Sequence, residues 1–277
     1  MAIDQAYQRR QRDTEGDFYR KLTGQSPRHD LNSTTQGFYI ATAGGELLLY
    51  NNNRDPEKVL RLLKQKLRDF QSARRGAVKV APIEAEKTDP RYNVAAPKGG
   101  LVIRVQAKIL DGYEPTTDRW RSIFQNATSR DNLWVTRDEH EALVRGQIPQ
   151  SLQRRIARYH LVDNTRGEPP MWKSSEIRSL RMELSGDDLT GHAELATDRG
   201  GRGYDAELKG KVHCESGRVV RFDMVCLGQF WGEGTYTRGA PQGKFPLAIS
   251  FTLADGTDIA DRVPPQGSRG WVEGYLR

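Results

Sequence analysis

Cysteine is scarce in this chain of 277 residues, and long apolar runs are absent. Two thiols, Cys214 and Cys226, are too few for a four-cysteine metal site or an iron–sulfur cluster, and their spacing is not that of a C-x-x-C redox pair. Apolar stretches such as residues 47–50 and 101–103 end far short of the ~18 residues that a membrane-spanning helix requires. Nor does the start read as an export leader: Asp4 brings charge at once, and Arg9, Arg10 and Arg12 follow with no apolar segment. The expected location is the cytoplasm, or outside the cell if a leader precedes this chain.

Charge of both signs is abundant. Lys and Arg total 43 against 36 Asp and Glu, a net charge of +7, and hydrophobic residues make up only 36%. Basic clusters at Arg9-Arg10, Arg74-Arg75 and Arg154-Arg155 with Arg158 invite a reading as a basic-patch nucleic-acid binder. Acidic residues interleave almost everywhere, however, and no RNP, zinc-finger or helix-turn-helix signature accompanies them. Neither a nucleic-acid nor a membrane partner is expected, which leaves a protein partner as the open possibility.

Periodicity divides the chain into residues 1–75, a Pro/Gly-rich linker over 76–100, and residues 101–277. In the first part, residues 6–22 read as one or two short helices interrupted near Gly16. Two apolar runs flank Gly44-Gly45, a hairpin signal. Asp55-Pro56 then opens a helix with Val59, Leu60, Leu63, Leu67 and Phe70 on one stripe. In the last part, residues 101–110 alternate as a strand, Thr136 and Glu139 form a capping box, and Pro149 opens a second helix.

From Ser179 the pattern becomes an antiparallel β-meander. A turn at Asp187-Asp188 sets Arg181 opposite Glu194 and Glu183 opposite His192. A three-residue loop at 215–217 sets Val212 opposite Val220 and places Cys226 against Ala206. Cys214 then lies roughly 27 Å away at ~3.4 Å per residue, so the two thiols are expected to be buried and unbridged. A final strand carries Trp271 and Tyr275. The fold class expected is α+β, a hairpin-plus-helix module followed by a mainly antiparallel β-sheet domain with a few helices.

The segment GFYIATAGGELLLYNNNRDPEKVLRLLKQKLRDF resembles the last two strands and last helix of a thioredoxin-like domain, with residues 1–4 in place of an earlier strand. The whole chain is similar to bacterial proteins that join such a module to a β-rich C-terminal domain. The resemblance implies a partial module lacking the C-x-x-C half, and Thr34-Thr35-Gln36 stands where the family has its cis-proline. No residue matches the nucleophile, so no redox role is carried over. A start assigned too far downstream would account for the missing half.

Three groups of side chains are candidate sites. Glu183, His192 and Glu207 fall in one cross-strand row, where carboxylates beside an imidazole could bind a metal or move a proton; this is the basis for an alternative reading as an enzyme of unknown class. The glycine-rich loop 228–245 carries Phe230, Trp231, Tyr236 and Arg238, which could stack on a ligand or a peptide. Asp163 and Arg166 stand at a helix exit, a usual place for a binding loop. Gly201-x-Gly203-x-x-Ala206 matches a dinucleotide fingerprint in form only, because a strand follows it, so no cofactor and no metal are expected. The leading expectation is a binding or interaction protein.

Overall fold

A computed structural model of the chain describes residues 5–73, 89 and 94–277, without the side chains of Ala6 and Trp120. The expectations for residues 1–4, for Arg74-Arg75 and for most of the 76–100 segment lie outside these residues. The chain divides into two compact units, Met1–Val94 and Ala95–Arg277.

Unit 1 begins with α1 (Gln5–Gln8) and α2 (Thr14–Gly24). The break between them lies at residues 9–13, where Asp13 caps α2 by accepting from the Gly16 N–H. Gly16 is inside α2 rather than at its interruption, and glycine is needed there because a Cβ would collide with the Gln11 carbonyl. The expected hairpin follows as β1 (Phe38–Ala41) and β2 (Leu47–Asn51), with Tyr39 opposite Tyr50 and a bulge after Ile40. Lys21 of α2 and its C-cap residue Gln25 each donate at 2.7 Å to carbonyls of the hairpin turn, Gly44 and Gly45. The helix α3 (Pro56–Ser72) is capped by Asp55, whose carboxylate accepts from the Glu57 and Lys58 N–H groups, with Pro56 in its first turn.

Unit 2 is α+β. Its elements are β3 (Leu101–Ile109), α4 (Arg119–Asn126), β4 (Asp131–Val135), α5 (Arg137–Val144), α6 (Gln150–Arg155), which runs on into a π-helical turn, β5 (Ile177–Ser185), β6 (Asp188–Ala196), β7 (Gly203–Glu215), β8 (Arg218–Trp231), β9 (Lys244–Leu253) and α7 (Val272–Leu276). The strands make one antiparallel sheet in the order β4-β3-β9-β8-β7-β6-β5, curled as a half-barrel. Period-2 alternation explains its core: Tyr204, Ala206 and Leu208 point inward while Asp205, Glu207 and Lys209 are exposed. Trp172, Phe222, Phe230, Phe245 and Phe251 are buried with them. The Tyr204 hydroxyl reaches the carbonyls of Cys226 (3.1 Å) and Leu247 (2.9 Å), so this core phenol is satisfied by its neighbouring strands.

Three expectations are corrected. The β5–β6 turn is Gly186-Asp187, not Asp187-Asp188, so Arg181 faces His192 and Glu183 faces Thr190. The β7–β8 loop is Ser216-Gly217, both at positive φ (49° and 75°) as a tight primed turn requires. A bulge between His213 and Cys214 then sets Val212 opposite Phe222 and Leu208 opposite Cys226, and it turns Val220 out to solvent while Val219 is buried. Cys214 remains six residues along the strand from Leu208, ~20 Å, and both thiols are free, Cys226 buried as expected but Cys214 only half-buried. The last element is a helix rather than a strand: Tyr275 donates its N–H to the Trp271 carbonyl, burying the phenol and leaving Trp271 exposed.

Candidate functional site

The row Glu183, His192 and Glu207 does not converge. His192 stands opposite Glu207, but its Nε2 lies 2.8 Å from Asp205, while Glu183 binds Arg181 on its own strand at 2.7 and 2.8 Å. The Arg181 guanidinium holds the Glu183 carboxyl below its ordinary range. Glu183 and Glu207 are exposed on the open outer face of the sheet. Among the described residues no group of three or more His, Cys, Asp and Glu could hold a metal ion.

The loop candidates separate by burial. Phe230 belongs to the core, and Trp231 lies against the sheet end with its indole N–H on the Gly200 carbonyl and Lys244 over its ring. Tyr236 and Arg238 are exposed at the tip. Asp163 and Arg166 form a buried ion pair, and Arg166 also donates to the Thr237 carbonyl, fastening the base of the glycine-rich loop. Burial near this pair pushes the Tyr113 phenol up to about 12.

Sequence reasoning missed two buried constellations. Arg155 donates to the carbonyls of Tyr275 (3.0 Å), Leu276 (2.5 Å) and Trp134 (3.3 Å), and its countercharge is the Glu139 carboxylate at 2.5 Å. Glu139 is the same side chain that closes the α5 capping box. Beside it, Asp131 lies 3.1 Å from His160 Nδ1, and His160 Nε2 is 2.7 Å from the Tyr275 hydroxyl. Asp–His–Tyr is a proton-relay order, but Tyr275, His160 and Asp131 are all buried, so the arrangement anchors α7 instead of meeting a substrate. The polar signal was present in the sequence; the contacts that Arg155 and His160 make to α7 reach more than a hundred residues along the chain.

Unit 1 holds an accessible concave surface. A cleft of about 770 Å³ opens among α2, the hairpin and α3, lined by Tyr19, Leu22, Ile40, Leu49, Leu62 and Leu63 among others. Along α3 the half-buried positions are Lys58, Val59, Leu62 and Lys66. Within the apolar stripe predicted from sequence, Leu60, Leu63 and Leu67 are centred about a third of a turn away from them. Leu60, Leu63 and Leu67 are accordingly 49%, 46% and 52% exposed. An amphipathic helix ordinarily buries the centre of its apolar stripe, so α3 docks by one edge and leaves the stripe on the surface.

Among the described residues no helix is long and apolar enough to cross a membrane. No family model, no curated protein and no solved structure matches this chain.

Proposed function

We propose that this chain is a binding protein whose unit 1 receives another polypeptide in the cleft and on the adjoining stripe of α3. The observation that carries the reading is the exposure of Leu60, Leu63 and Leu67, three large apolar side chains on one helix face beside an apolar cleft. A hairpin followed by a capped helix also supports reading this unit as the closing part of a thioredoxin-like module, here without a redox role. Binding is favoured over catalysis because the outer-face carboxylates and His192 are splayed, while the tighter polar constellations are sealed inside unit 2.

The test is binding of an environment-sensitive apolar dye, anilinonaphthalene sulfonate, to the full chain and to the triple variant L60K/L63K/L67K. Lysine is a good helix former, so far-UV circular dichroism is expected to stay unchanged while the dye response falls sharply. An equal dye response in both proteins refutes the surface.

A further inference from the structure

A polypeptide-binding role for unit 1 leaves the partner's chemistry open. Resting on that role, we infer that α3 receives an acidic amphipathic helix, which lays its apolar side on Leu60, Leu63 and Leu67 and sets carboxylates against Lys64 and Lys66. The three leucines recur at intervals of three and four, the a/d spacing by which two helices interlock side chains. In that repeat Lys64 follows the d-position Leu63, and Lys66 precedes the a-position Leu67. Lysine therefore occupies both the e and the g flank of the open stripe, the positions that select a partner by charge.

Three observations narrow the occupant. The helix carries Lys58, Arg61, Lys64, Lys66 and Arg68 against only Glu57 and Asp69. A second copy of α3 would bring like charges together along the flanks, whereas glutamates at the matching positions of another helix complement them. Among the described residues Lys66 pairs with Asp69 at 3.4 Å, and with 32% of its side chain exposed it can still meet a further carboxylate. The third is shape: Leu63 lines the cleft between α3 and the hairpin, and such a concavity takes inserted side chains, as helix-in-groove recognition does.

The test uses the full chain and two fluorescein-labelled synthetic helices with leucine at a and d, one with glutamate and one with lysine at e and g. Anisotropy titrations at low salt are expected to show the glutamate helix binding about tenfold or more tighter than the lysine helix. The K64E/K66E variant is expected to invert that order, and L63K to weaken both. Equal binding of the two helices, sensitive to L63K, overturns the acidic partner while leaving the apolar surface intact. No binding of either helix, with the dye response of the leucine stripe retained, overturns the helical partner. Binding to phosphatidylserine vesicles that is lost in L63K, with neither helix bound, assigns the face to a lipid surface and also overturns the inference. Loss of the dye difference itself removes the underlying reading.

Discussion

Replacing Arg155 by methionine is the most informative single perturbation of unit 2. The Arg155 side chain is 2% exposed, and its guanidinium holds α7 by the carbonyls of Tyr275 and Leu276, β4 by the carbonyl of Trp134, and α5 by the Glu139 carboxylate. Methionine keeps most of the volume but strands Glu139, whose side chain is 5% exposed. Removing one partner of a buried ion pair costs about 3–5 kcal/mol, because the other charge stays buried without compensation. Removing both costs less, since a buried pair and a well-packed apolar pair are often close in stability. For R155M/E139M the residual loss is the α5 cap, about 1 kcal/mol, together with the unpaired carbonyls.

The assay is urea unfolding followed by tryptophan fluorescence, which reports on unit 2 alone: all five tryptophans, Trp120, Trp134, Trp172, Trp231 and Trp271, lie in Ala95–Arg277. pH supplies an independent sign. Burial by itself raises Glu139, but hydrogen bonds from Arg155, Ser151 and the Thr136 N–H outweigh it and hold the carboxyl below its ordinary range. A depressed carboxyl contributes stability above the unfolded value, about 4.3, and loses that contribution as the pH falls through its folded value. Without Arg155, burial dominates and the carboxyl moves up, so R155M is most destabilised at neutral pH and less so near pH 4. A loss below about 1 kcal/mol for R155M at pH 7, or a double variant as unstable as the sum of the singles, refutes the role assigned to this pair.

Tyr275→Phe removes the hydroxyl 2.7 Å from His160 Nε2 and 3.4 Å from the Trp134 N–H, and is expected to cost about 1–3 kcal/mol in the same unfolding assay. Gly16→Ala tests backbone crowding against propensity: a helix interior ordinarily gains about 1 kcal/mol from this change, but collision with the Gln11 carbonyl is expected to lower the protection of unit 1 amides in hydrogen exchange. His192→Ala and Glu183→Gln are expected to leave the unfolding midpoint of unit 2 unchanged, and zinc titration by calorimetry is expected to give no heat attributable to either residue; a zinc signal lost in both variants would restore the row as a site.

Local chemistry made much of the architecture legible from sequence alone. Asp55-Pro56 and Thr136 with Glu139 mark helix starts because each cap and the N–H groups that donate to it lie within four residues of each other. The inward face of each strand follows from alternation, and it survives an error of register: β5–β6, and β7–β8 beyond the bulge, differ from expectation by two residues, which preserves which side chains point inward and changes every cross-strand partner. That is why the core of the meander was readable while Glu183 was set against the wrong neighbour. The turns that decide register depend on positive φ at Gly186, Ser216 and Gly217, a backbone detail that composition does not specify.

Tertiary contact decided the rest. The segment Val272–Leu276 is too short to hold a helix by propensity; it is one because Arg155, from another part of the chain, donates to its carbonyls. In the same way sequence placed Leu60, Leu63 and Leu67 on one stripe, but only the packing of α3 determined that its Lys58, Val59, Leu62 and Lys66 edge is half-buried while those three leucines stay in solvent. Periodicity records which residues share a face, since that is a property of the helix alone; which face is covered depends on surfaces brought against it by folding.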